Sequence, residues 1–359
     1  MIRVLLLFLI LGFTGCKKTP DEKKALYFPQ IGSQTWETVT PASLGWNATA
    51  LTDLYTFLSQ KNTRAFIILV DGKIAAEQYG GIELTGSQPF NSASLWYWAS
   101  AGKSLTSFLT GLAQQEGLIN IENKTSDYIG RGWTSMPPAK EDLIKVKHQL
   151  TMTTGLDYNV ADVDCTDPSC LVYKADAGTQ WFYHNAAYTL IESVISSASG
   201  VTYNSYTDTR IESRTGMNGI WLKSGYNNVY YSTARDAARF GLLILNKGKW
   251  DKDQILTDQA YFNSMVSTSQ NINPSYGYLF WLNGKSSIIY PGLPTSFNIS
   301  LAPDAPTDMF AAMGKNGQFI DVIPSLNMVV VRMGEAPDAS QVPITFHNEM
   351  WQKIKLVIN

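Results

Sequence analysis

The chain has 359 residues, 45% of them hydrophobic and 16% charged, with a formal net charge of −2. This composition suits one large or two ordinary globular domains and excludes a disordered chain. The near balance of charge leaves no basic footprint for nucleic acid, and the sequence holds no solenoid-period repeat or low-complexity tract.

The N-terminus, "MIRVLLLFLILGFTGCKK", carries Arg3, an apolar run from Val4 to Phe13, and then Thr14-Gly15-Cys16. The run is too short to cross a bilayer and has the layout of a secretory h-region. The small residues ending on Cys16 resemble a bacterial lipobox, with Phe13 where leucine is usual. The expectation is a signal peptide over 1–15, a lipid on Cys16 that anchors the chain to a membrane, and a polar tether over 16–38. The protein is then exported to the cell envelope, facing the periplasm or the cell surface. The plainer alternative is a signal peptide without a lipid.

Next comes "GWNATALTDLYTFLSQK", with Leu51, Leu54, Tyr55 and Leu58 at helical spacing behind Asn47, a good N-cap. "RAFIILV" and "KIAAEQY" read as strands joined by Asp71-Gly72, a hairpin signal. Residues 101 to 262 read mostly as helices and loops. "SLTSFLTGLAQQEG", "AAYTLIESVISSASG" and "TARDAARFGLLILNKG" each close on a glycine. Strands return in "GYLFWLNG", "MFAAMG", "QFIDVIP" and "NMVVVRMG". The last helix, "PITFHNEMWQKIKLVI", sets Phe346, Met350, Ile354 and Val357 on one face. This order predicts an α/β sandwich within residues 39–359. One antiparallel sheet, flanked by helices, is closed by the two ends (39–99 and 270–359), with a mostly helical insertion (100–269) and a cleft between them.

On export, Cys165 and Cys170 in "DVDCTDPSCLVY" suggest a local disulfide; the alternative is two free thiols in a loop. No metal site or cofactor is expected, because no further cysteine remains and His148, His184 and His347 are scattered.

Three short stretches carry chemistry. In "LWYWASAGKSLTSFLTG", Ser100 and Lys103 lie opposite the stripe of Leu105, Phe108, Leu109 and Leu112, close enough to meet. The plainer reading makes Ser100 an N-cap and Lys103 a solvated residue, and a Ser-x-x-Lys spacing arises about once by chance in a chain this long. The chemical reading is that a desolvated lysine shares in activating a serine nucleophile, while the Ser100 N–H faces a developing oxyanion. In "GTQWFYHNAAYTLIESV", Asn185 read alone caps a helix, whereas beside Ser100 and Lys103, Tyr183 becomes a candidate base whose phenolate a lysine cation favours. In "MFAAMGKNGQFIDVIP", Asn316-Gly317 is a hairpin turn that presents Lys315 and backbone N–H groups to the same cleft.

Taken in order, Ser100-Ala-Gly-Lys103, Tyr183-His-Asn185 and Lys315-Asn-Gly317 resemble the active-site triplet of the serine β-lactamase and penicillin-binding-protein superfamily. The Tyr-x-Asn form is similar to its class C β-lactamase branch, which includes DD-peptidases, esterases and nylon-oligomer hydrolases. "HQLTMTTGL" and "STARDAARFGLLIL" resemble landmarks of the same family, and the resemblance covers roughly residues 40 to 355. It implies the β-lactamase/transpeptidase-like fold, with Ser100 as the acylated nucleophile activated by Lys103 and Tyr183. Asn185 would orient Lys103 and a substrate carbonyl or amide. The N–H groups of Ser100 and Gln318, just past Gly317, would form the oxyanion hole.

One departure is Lys-Asn-Gly in place of Lys-Thr-Gly, which removes a hydroxyl and weakens the case for a β-lactam carboxylate. The expected activity is therefore an esterase, amidase or peptidase acting on a small ester, amide or peptide through an acyl-serine. The competing reading is a silent cell-envelope lipoprotein that binds peptidoglycan or peptides; retention of the serine, lysine and tyrosine speaks against it. A lipase of the α/β-hydrolase type is disfavoured, since no Gly-x-Ser-x-Gly occurs.

Overall fold

The computed structural model describes residues 25–359. The predicted signal peptide, Cys16 and the first part of the tether lie outside the described residues. Helix α1 (Ala48–Gln60) starts on Asn47, whose side chain accepts the Ala50 N–H at 3.1 Å. Leu51, Leu54 and Leu58 are its buried stripe. Strands β1 (Thr63–Val70) and β2 (Lys73–Tyr79) follow, turning at Asp71 and Gly72 with φ of 50° and 81°. Positive φ at both turn residues matches the twist of paired strands, which is why Asp-Gly serves there.

The main sheet is completed from the other end of the chain by β6 (Trp281–Leu282), β7 (Phe310–Gly314), β8 (Gln318–Ile323) and β9 (Met328–Gly334). The strand order is β2-β1-β9-β8-β7-β6, antiparallel throughout. Alternation along β8 divides the sheet into two faces. Ile320 meets helix α5 (Ala234–Leu245) at Gly241, whereas Phe319 and Asp321 meet the final helix α6 (Ile344–Ile358). Helix α6 packs beside α1. The fold is thus an α/β sandwich, with an antiparallel sheet between helical layers.

Residues 101 to 262 hold strands as well as helices. A second sheet, β3-β5-β4, forms from β3 (Trp96–Tyr97), β4 (Gly219–Ser224) and β5 (Asn227–Ser232). Each longer strand has few buried side chains, Trp221 in β4 and Tyr230 and Ser232 in β5, so the period-two signal is faint. "AAYTLIESVISSASG" divides at Leu190 into α3 (Asn185–Thr189) and α4 (Ile191–Ser199). Cys165 and Cys170 are joined by a disulfide, with Cα atoms 5.9 Å apart. The β7–β8 hairpin lies inside the sheet, not at its edge. Its outer neighbour β6 pairs only with Phe310 and Ala311, leaving the Gly314 end of β7 open to another element. Among the described residues, no helix is long and apolar enough to cross a membrane, and no group of side chains could hold a metal ion.

Candidate active site

The element that takes the open end of β7 is a tight turn, Ala99–Ala101, that runs into helix α2 (Gly102–Gln115). Trp98 anchors it. Its N–H donates to the Tyr230 carbonyl at 2.8 Å, its indole donates to Ser232 Oγ at 2.8 Å, and its ring packs edge-on to Tyr230. That grip holds Ala99 at a φ of 48°, a left-handed conformation that costs about 1–2 kcal/mol for a residue with a Cβ. Ser100 therefore sits inside a strained turn and caps nothing. Gly314 makes the approach possible. A Cβ there would lie 2.5 Å from the Trp98 carbonyl oxygen and 3.0 Å from the backbone nitrogens of Ser100 and Ala101.

Helix α2 is buried on both faces. Leu105, Phe108, Leu109 and Leu112 form the predicted apolar stripe, yet Lys103, Ser104, Thr106, Ser107 and Thr110 are buried too, because the helix runs between the sheet and other helices of the insertion. Lys103 is only 3% exposed. Its Nζ donates to Ser100 Oγ at 2.8 Å and lies 5.0 Å from the Tyr183 ring centre and 4.3 Å from that of Tyr188. Burial lowers its pKa from 10.5 to about 7, against an opposing pull from the Asp164 carboxylate.

Tyr183 comes from the extended stretch before α3 and contacts the Ser100 hydroxyl. Burial pushes its phenol well above the ordinary value, and the Ser100 contact only partly offsets this. The expected pairing of a lysine cation with a phenolate is therefore reversed. Desolvation outweighs attraction at both groups, leaving an amine that sheds its proton near neutrality beside a phenol that keeps its own.

Asn185 is not a helix cap, and it makes no hydrogen bond to Lys103. Its Nδ2 donates to Asp164 Oδ1 at 2.6 Å, and its Oδ1 is buried without a partner. Asp164 was not legible as a site residue. It stands beside Cys165, just outside the disulfide-closed loop, and its Oδ2 accepts from Asn227 Nδ2 at 2.9 Å. Tyr188, also missed, is one helical turn past Asn185 and closes the lysine's aromatic cage.

The third stretch forms the predicted turn, with φ of 62° at Asn316 and 75° at Gly317. Arg332 holds it, donating through Nη1 to the Asn316 and Gly317 carbonyls at 2.5 and 3.0 Å. Lys315 is exposed and shares a cavity of about 390 Å³ with Ser100, Lys103, Tyr183, Asn185 and Asp164. Gly317 and Gln318 do not line that cavity; the Gln318 side chain instead bridges to the backbone of Gly334 at 2.7 and 3.0 Å. Of three aromatics near these motifs, Tyr158 lines the cavity, while Trp98 and Trp181 are buried behind it. A wider groove of about 820 Å³ lies at the far end of α2, but its serine, Ser264, donates to the Ala260 carbonyl and, among the described residues, makes no hydrogen bond to a lysine. The smaller cavity is the one that gathers Ser100, Lys103 and Tyr183.

Comparison with known proteins identifies the family and the fold. The Beta-lactamase family model matches residues 60–338. Penicillin-binding protein 4* of Bacillus subtilis (strain 168) is 25% identical over 158 residues, covering 39% of this chain and 33% of that protein. A Beta-lactamase of Escherichia coli (strain K12) is 24% identical over 165 residues, covering 44% of this chain and 43% of that protein. The matched segment thus spans less than half the length of either relative. In three dimensions, a Bacillus anthracis chain assigned as a 6-aminohexanoate-dimer hydrolase superposes with a TM-score of 0.67 at 18% identity, covering 91% of this chain and 88% of the other.

Proposed function

The chain belongs to the beta-lactamase family, and from that premise we propose that it is an exported serine hydrolase that opens an ester or amide bond through an acyl-Ser100 intermediate. The observation that carries the reading is the 2.8 Å contact between the buried Lys103 amine and Ser100 Oγ.

Neutral Lys103 takes the hydroxyl proton as Ser100 Oγ bonds to the substrate carbonyl carbon. The negative charge that develops on the carbonyl oxygen is met by the Ser100 N–H. We assign the second donor to the Lys315 N–H in place of Gln318, because Lys315 lines the cavity and follows Gly314, which packs on the Ser100 nitrogen. Tyr183, a neutral phenol in contact with Ser100, gives its proton to the leaving oxygen or nitrogen as that bond breaks, and recovers one from Lys103. Water then attacks the acyl-enzyme with the same groups acting in reverse, which releases the acid and restores Ser100.

The substrate is a small ester, amide or peptide. The absent hydroxyl at Asn316 favours an esterase, amidase or peptidase over a true β-lactamase. Anchoring through a lipid on Cys16 belongs to the same reading. Cys16→Ser is expected to release the protein from the membrane fraction or block its processing; unchanged fractionation removes the anchor.

The activity is tested by screening the soluble domain against nitrocefin, p-nitrophenyl esters and D-Ala-D-Ala peptides, together with a fluorophosphonate probe. Wild type is expected to label on the Ser100 peptide and Ser100→Ala to stay blank. Lys103→Ala should label slowly, and Tyr183→Phe should lose about a hundred- to ten-thousandfold in turnover. Labelling that persists in Ser100→Ala would mean the wrong nucleophile. A wild type inert to every substrate and to the probe would favour a silent binding lipoprotein.

A further inference from the structure

We propose that the outer face of the second sheet is a membrane-docking surface, which lies on the bilayer that holds the Cys16 lipid and brings the catalytic cavity to that bilayer's surface. The inference rests on the anchoring and acyl-serine readings above. It begins from the pairing of β3, β5 and β4, in which residues opposite each other share a face. Trp96, Tyr230 and Trp221 point inward and are buried. The other face carries Tyr97, Tyr231 and Ile220 in one row, with Val229 and Leu222 in the next. Ile220 and Leu222 are 42% and 45% exposed, and Leu95, two residues before Tyr97, is 48% exposed. A sheet face turned to water is ordinarily polar, and a contiguous apolar one marks a contact surface.

The edge of this sheet is closed to a further strand. Asn204 donates to the Trp221 carbonyl at 3.1 Å and accepts the Trp221 N–H at 2.8 Å, so what docks lies on the face. These rows carry no charge, which suits a hydrocarbon boundary, and their two tyrosines suit a boundary that is wet on one side. The path of the N-terminal segment selects a bilayer as the occupant. Tyr27 is fixed on the β1–β2 turn, its N–H donating to the Asp71 carbonyl at 2.9 Å. Ile31 then packs on Gly216, where a Cβ would lie 3.2 Å from the Ile31 Cα. Ile220 follows Gly216 by four residues, which places it within about 33 Å of Tyr27. The eleven residues from Cys16 to Tyr27 span up to about 38 Å, enough to lay the face on the bilayer. Taking the exposed part of three aliphatic side chains out of water favours the docked posture by about a hundredfold. That is too weak to hold the domain without a lipid. At the turn between β4 and β5, Ser224, Asn227, Asn228 and Val229 line the catalytic cavity. Docking thus sets that wall at the lipid surface, and the substrate is an ester or amide carried there on a hydrocarbon chain.

The test couples Cys16, the one cysteine outside the disulfide, to a maleimide phospholipid in phosphatidylcholine vesicles. Hydroxyl-radical labelling, read by mass spectrometry, should fall by about fivefold or more at Leu95, Ile220 and Leu222 relative to Cys16→Ser in solution. Leu356, exposed on α6, should be unchanged. Ile220→Ser/Leu222→Ser should lose the protection at Leu95. On the vesicles it should also hydrolyse bilayer-borne p-nitrophenyl palmitate about tenfold more slowly than wild type, with p-nitrophenyl acetate unaffected. If the double variant fails to fold, the wild-type footprint and Leu95→Ser, outside the strands, still decide. Equal labelling on vesicles and in solution, or protection at Leu356 instead, overturns the proposal. Protection of the same three residues in solution that grows with protein concentration assigns the face to a second copy and also overturns it. Loss of all turnover and of probe labelling in wild type would sink the acyl-serine reading alone, because the footprint needs no activity. Unchanged fractionation of Cys16→Ser in the host is a separate measurement, and it would remove the anchor and this proposal together.

Discussion

A buried amine lowers the stability of a fold whenever it must be protonated inside it. Lys103 has a pKa of about 7 in the native chain, against its ordinary value of 10.5. Between those values the unfolded chain binds more protons than the folded one, so stability rises with pH across that window, and the penalty is fully present below pH 7. A shift of this size corresponds to about 5 kcal/mol. Lys103→Met, similar in volume and without charge, is therefore expected to stabilise the protein by about 2–4 kcal/mol at pH 6 while abolishing turnover. The gain should shrink toward zero near pH 10.5. Urea denaturation at the two pH values measures it, and an equal gain at both would show that desolvation of the lysine is not the cause. The same titration governs catalysis with the opposite benefit: the base must be neutral, so kcat/KM should fall as pH drops through about 7.

Among the elements, the loop closed by Cys165 and Cys170 couples structure to the site most directly, because Val163 and Asp164 line the cavity beside it. Closing so short a loop stabilises by about 2 kcal/mol in the chain-entropy account. The double variant Cys165→Ser/Cys170→Ser should lose about that much in thermal unfolding. Its KM should rise more than its kcat falls, because the nucleophile turn is built elsewhere; a loss confined to kcat would contradict this. This loop also marks the limit of what the sequence conveys. Ser100, Lys103 and Tyr183 were legible as candidates because three short stretches, each weak alone, resemble a family's motifs when taken in order, and the main-sheet strands because long apolar runs lie between turn residues. Asp164 carried no such mark, since its placement depends on how a loop folds over Asn185 and Asn227. The second sheet was hidden because β4 buries little beyond Trp221. The turn at Asn316-Gly317 was readable from its residues, but which N–H faces Ser100 depends on how β7 meets the turn at Ala99.

At the scale of the molecule, the two ends of the chain are joined along the length of β1 and β9, from Thr63 opposite Gly334 to Val70 opposite Met328. Arg332 joins them a second time. It is fully buried and donates to Thr63 Oγ1 at 3.1 Å, to the Lys61 and Glu335 carbonyls at 2.9 Å each, and to the carbonyls of the Asn316 turn. Its hydrogen-bond partners include no carboxylate, and burial lowers its pKa to about 9. Arg332→Met would strand those acceptors, so a loss of about 3 kcal/mol or more is expected, felt by both ends at once. Tryptophan fluorescence and probe labelling should then be lost in a single coincident transition on denaturation. Separate transitions would mean that the two ends fold independently. Gly314 has a different consequence, for the ability of this protein to change. On that side of the cleft the wall is main chain pressed on main chain, with no side-chain end able to yield, so exchanging residue 314 moves the nucleophile itself. Adaptation to a new substrate, by selection or by design, is confined to the remaining walls. A library randomised over residues 158–164, 226–229 and 290–293 should return active proteins with altered preference. A library randomised at 314 should return glycine.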